Sequence, residues 1–172
     1  MPDEAGELLR KAEEMLTDAK HGLRREMEAP IARLTPEARE DAIKVAKEIW
    51  VESMRLLGGK DENVRRDSNG DALILESKKK LDNTIFEGAD LGINRYHYEY
   101  ENNVTYYKHE LYTFYPDHVL KTTRNSSRHN EGKKLAPRGL ATEKHEANRD
   151  ELRELLEVVK NSTQFKSNRD TF

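Results

Sequence analysis

The chain has 172 residues, no cysteine and a formal net charge of −3, which excludes disulfides, thiolate metal sites and a cysteine nucleophile and suits one domain with an arm or tail. Charged residues make up 37% of it, the mean hydropathy is −0.99, and Leu, Ile, Val and Phe together supply only about a fifth, at the edge of the range that folds alone. No apolar run approaches the ~18 residues of a membrane span, so a soluble, cytoplasmic protein with no membrane partner is expected. A core this lean implies either disordered segments or burial shared with a partner or second copy.

Over residues 3–28, Leu9, Ala12, Leu16, Ala19 and Leu23 recur at helical spacing, with Leu8, Met15 and Met27 widening the stripe and Pro30 following it. A first helix or helical arm is predicted there. The second helix is better marked. Thr35 is placed to cap it, Pro36 fits its first position, Glu37 suits the positive dipole end, and Gly58-Gly59 supplies a left-handed stop after Leu57. Its broad apolar face includes Ala42, Val45, Ile49, Met54 and Trp50, with Trp50 expected as the largest core anchor.

Residues 60–71 read as a polar loop with a turn at Asn69-Gly70. A short strand follows, Ala72 to about Lys78. Residues 84–93 are less regular, and Gly88 and Gly92 there mark a bulge, a bend or a close backbone approach.

All seven tyrosines fall between Tyr96 and Tyr115, in an alternating stretch that predicts a β-hairpin. A two-residue turn at Asn102-Asn103 suits the positive φ that such turns need. It places Tyr98 opposite Tyr107, Tyr96 opposite His109 and Tyr100 opposite Thr105 on one face. The other face carries Arg95 opposite Glu110, His97 opposite Lys108 and Glu99 opposite Tyr106. Hydrophobicity favours burying the tyrosine face and solvating the charged one. On that reading His97, Tyr106 and Lys108 are the hairpin's candidate binding residues.

A last strand is expected over His118–Thr123. Residues 121–140 then read as a basic flexible loop, with six basic residues against the single acid Glu131. Arg124, Arg128, Lys133, Lys134 and Arg138 are its candidate phosphate contacts. A third helix is predicted from about Thr142 to Lys160, with Leu152, Leu155, Leu156 and Val159 on one stripe, and residues 161–172 form a polar tail. The sum is one α+β domain over residues 1–160: two N-terminal helices, about four antiparallel strands and a C-terminal helix packed on one sheet face.

No nucleophile elbow or phosphate-binding glycine loop appears, and His97 and His109 point to opposite faces. The leading expectation is a non-enzymatic binding or interaction protein acting in a homo- or hetero-oligomeric complex, without a cofactor. A second is nucleic-acid or nucleotide binding, with tyrosines stacking on bases and the basic loop neutralising phosphates. A third rests on Ala-Leu-Ile-Leu-Glu76-Ser-Lys78, which resembles the catalytic strand of PD-(D/E)xK nucleases. The resemblance implies that Asp67 or Asp71 would join Glu76 in holding Mg²⁺ while Lys78 orients the attacking water.

Overall fold

The computed structural model describes residues 4–27, 31–82, 86–129 and 138–165, and the backbone alone at 16–27, 129 and 138–141. The chain forms two compact units, Met1–Pro30 and Ile31–Phe172. The first unit is helix α1, Glu4–Met27. Glu4 and Glu7 meet the positive dipole end, and Arg10 reaches Glu14 at 3.9 Å one turn on. Leu8, Leu9 and Met15 are each about two-thirds exposed, at 68%, 64% and 72%. The side chains of Leu16, Ala19, Leu23 and Met27, and all of Pro30, lie outside the described residues.

In the second unit, α2 spans Pro36–Leu57. Thr35 Oγ1 accepts the Ala38 N–H at 3.2 Å, and Gly58, at φ 56°, returns its N–H to Met54 O at 3.1 Å. Both caps are those that the sequence marks. The buried stripe is Ala42, Val45, Ile49, Ser53 and Leu57. Trp50 is not the expected anchor. It is 44% exposed, because one residue past Ile49 the helix has turned ~100° away from the core.

The remaining elements are β1 (Glu62–Arg66), β2 (Ala72–Ser77), α3 (Lys78–Leu81), β3 (Leu91–Glu101), β4 (Val104–Phe114), β5 (Val119–His129), β6 (Arg138–Glu146), α4 (Arg149–Lys160) and β7 (Thr163–Gln164). The fold is α+β with one antiparallel sheet, ordered β6-β5-β4-β3-β2-β1-β7. Among the described residues there are seven strands rather than about four, and four helices rather than three.

The extra strands hide in polar sequence. The expected loop 60–71 contains β1, whose inward Arg65 is satisfied by Ser162 through Nε–Oγ at 2.6 Å and a second nitrogen to the backbone O at 2.7 Å. The expected basic loop 121–140 is strand at both ends, since β5 runs on to His129 and β6 begins at Arg138. Thr142 to Glu146 belong to β6, so the last helix starts at Arg149. Asn148 caps it by a reciprocal box with Glu151 at 2.9 and 3.1 Å. The first residues of the expected polar tail form β7. Phe165 N–H bonds Val64 O at 3.0 Å, and Arg66 lies 4.5 Å above the Phe165 ring.

The core lies between α2, α4 and one face of the sheet. Leu73, Leu75, Leu91, Ile93, Tyr112, Phe114 and Val119 meet Leu152, Leu155, Leu156, Val159 and the α2 stripe. The short α3 packs at one end of the other face. Its Leu81 is buried there, and a Cβ at Gly92 would stand 3.3 Å from Leu81 Cδ2. Gly92 thus marks a close approach, and Gly88, at φ 81°, a turn. No helix among the described residues is long and apolar enough to cross a membrane.

Candidate functional site

Asn102 and Asn103 take φ 50° and 62°, the left-handed pair of a two-residue hairpin turn. The register follows as expected: Tyr98 pairs with Tyr107, Tyr96 with His109, and His97 with Lys108. The assignment of faces is reversed. Leu73 pairs with Arg95 and Leu75 with Ile93, so the helix-covered face of β3 is the one carrying Arg95, His97 and Glu99. The tyrosine face is the open one, with Tyr98 57% and Tyr100 67% exposed.

On the open face, three cross-strand rows stand next to one another: Tyr96–His109–Arg124–Thr142, Tyr98–Tyr107–Ser126 and Tyr100–Thr105–Arg128. Lys144 shares the face through its pairing with Thr122, and none of these positions is an acid. Tyr96 and His109 stack in parallel, with centroids 4.4 Å apart and planes 2° apart, while Tyr98 and Tyr107 meet edge to face at 5.1 Å. His109 Nε2–H donates to Asn94 Oδ1 at 2.9 Å. Burial and the charge of Arg124 push the His109 pKa down, and burial raises that of the Tyr96 hydroxyl. The platform is therefore neutral in its rings and positive at its edge.

Behind it, on the helix face, a polar chain crosses the sheet. His97 reaches Asp71 through Nδ1 and Glu110 through Nε2, both at 3.0 Å. Glu110 also accepts from Tyr112 OH and Lys121 Nζ, each at 3.1 Å. Lys121 continues to Glu151 at 3.3 Å, which holds His145 at 2.7 Å. Burial pushes the Glu110 carboxyl up, but Lys121, Arg95 and Lys108 outweigh it and hold it down at about 2. Burial and that same carboxylate push the Tyr112 hydroxyl up to about 12. Where the strands run beyond α4, this face opens into a cleft of about 560 Å³ with His97, Tyr106 and Lys108 in its lining.

The sequence-predicted residues therefore separate. Arg124 and Arg128 share the open face, whereas His97, Tyr106 and Lys108 line the cleft. Arg138 pairs with Ser127 through its backbone, its side chain lying outside the described residues, as do Lys133 and Lys134 entirely. The nuclease set does not converge. Asp71 turns to His97 on the helix face, while Glu76 faces Gly92 on the open one. Asp67 caps the Asn69-Gly70 turn by accepting the Asn69 and Asp71 N–H groups at 2.9 and 3.0 Å, and Lys78 is the exposed first residue of α3. Burial raises the Glu76 pKa. Among the described residues, no group of three or more His, Asp or Glu side chains is placed to hold a metal.

His109 and Lys144 belong to the open face, and Arg95, Asn125 and Ser127 to the cleft, without having been singled out by motif. Alternation placed His109 beside Tyr96, but the position of β6 carried no signal. No protein-family model matches the chain, and no match arises among curated proteins or solved structures.

Proposed function

We propose that this chain is a non-enzymatic binding protein that takes single-stranded nucleic acid across the open face of its sheet. The observation that carries the reading is the exposure of Tyr98 on a face shared with Arg124 and Arg128, with no acid in the three rows that hold these residues. An aromatic face accepts any base, and a guanidinium one or two strands away meets the phosphate that follows it. The net charge of −3 does not oppose this, because the field at a flat face is set by nearby charges within a Debye length of ~8 Å at physiological salt. Anisotropy titration of labelled single-stranded oligonucleotides tests it. With Arg124, Arg128 and Lys144 each neutralising a phosphate, affinity should fall with salt at a logarithmic slope of about −2. Absence of binding to purine-rich and pyrimidine-rich strands at low salt would remove the reading.

The exposed Leu8, Leu9 and Met15 of α1 favour a second role for that unit, association between copies of the chain. An unpartnered apolar stripe is buried when two such helices pair. Static light scattering should give at least a dimeric mass for the full chain and a monomeric one for Leu8→Gln/Leu9→Gln. Identical masses would count against it.

A further inference from the structure

We infer that the cleft on the helix face, beside α4, is a binding site for a small carboxylate that also carries hydroxyl or ammonium groups, with Arg95 as the residue that receives the carboxylate. Arg95 is only 7% exposed. Among the described residues its Nε has no hydrogen-bond partner, and its one ion pair is a 3.7 Å contact with Glu154, whose side chain is 72% exposed. The acid directly across the strand, Glu110, is occupied by Lys121, Tyr112 and His97. The Glu110 charge that faces Arg95 is shared with Lys121 and Lys108, and a loose pair to a solvated carboxylate adds little to offset the cost of burying the guanidinium.

The cleft that Arg95 lines has about 560 Å³, within the range of small-ligand sites. Lys108, half exposed, stands at its lip and adds a second positive charge. Glu99 and Asn125 line it as well and offer acceptors. That mixture suits a single carboxylate with donor groups better than a phosphate dianion, which the acids Glu99 and Glu154 would repel. A planar carboxylate also matches the guanidinium fork and can displace Glu154 without breaking a strong contact. Arg124 and Arg128 lie on the opposite face, so this site is independent of the nucleic-acid surface.

The test is a backbone-amide NMR titration of the full chain with L-serine, lactate and inorganic phosphate at constant ionic strength. Shifts confined to residues 95–99, 106–110 and 123–127 that saturate with either carboxylate by about 100 mM are the expected result. Arg95→Lys, which keeps the charge and loses the fork, should weaken that binding about tenfold. Lys108→Gln, at an exposed position where folding is not at risk, should weaken it about threefold. No saturation with either carboxylate, saturation with phosphate alone, or unchanged affinity in Lys108→Gln would overturn the assignment. Unchanged oligonucleotide binding in Lys108→Gln would separate this site from the open face.

Discussion

Glu110→Ala should lower the folding free energy by about 3–5 kcal/mol, the usual cost of removing one partner from a buried ionic cluster. The Glu110 carboxylate is the hub that joins β3, β4 and β5 on the helix face. It holds Lys121 Nζ and Tyr112 OH, each at 3.1 Å, and His97 Nε2 at 3.0 Å. Its loss leaves an almost covered ammonium with only Glu151 nearby and a phenol pointing into a void. Urea denaturation monitored by circular dichroism reads the change, and a loss below about 1 kcal/mol would refute the hub role.

The same carboxylate sets an acid limb to stability. Its folded pKa, about 2, lies below the ordinary value of 4.5. The stabilisation it brings is therefore fully present above pH 4.5, and it is lost as pH falls from there towards 2. A shift of that size corresponds to about 3 kcal/mol. Glu110→Gln keeps the shape and cannot titrate, so the stability gap between it and the parent chain should close by about that amount across this window. A gap that stays constant with pH would show that Glu110 does not titrate as the geometry requires.

This network also explains what could and could not be read from the residues. The turn at Asn102-Asn103 and every pairing in the hairpin follow from alternation and the positive-φ tolerance of asparagine, because both are local properties. Which face is buried is not local. It is fixed by Leu73 and Leu75 of β2, whose alignment with Arg95 and Ile93 decides the side that α2 and α4 cover. The run Ala72 to Leu75 is apolar at every position and so carries no parity signal. Tyr96, Tyr98, Tyr100 and Tyr107 then outweigh Arg95 and Glu110 on any hydrophobicity scale, although hydrogen bonds and ion pairs to the Glu110 carboxylate let the charged face be covered. Strands β1, β5 and β6 are polar for related reasons. The inward Arg65 of β1 is satisfied by Ser162, and β5 presents Arg124 and Arg128 to an open face that needs no apolar residues.

The exposure of that face leads to the second large effect, Tyr98→Ala, which should weaken single-stranded oligonucleotide binding by about 1–3 kcal/mol, some 5- to 150-fold. The reasoning runs through geometry. Tyr98 meets Tyr107 edge to face and is 57% exposed, which leaves ring surface for a base, and the stacked Tyr96–His109 pair continues the platform one row down. Because a stacking contact carries no charge, the salt slope of Tyr98→Ala should match that of the parent chain. Arg124→Gln should do the reverse, flattening the slope by about 0.7 per phosphate released with a smaller loss at high salt. Burial and the charge of Arg124 both lower the His109 pKa, so the comparison belongs near pH 8, where the imidazole stays neutral in both chains. Folding should hardly change in either variant, since both side chains are exposed. A Tyr98→Ala chain that binds as tightly as its parent, or an Arg124→Gln chain with an unchanged slope, would mean that the strand does not cross this face.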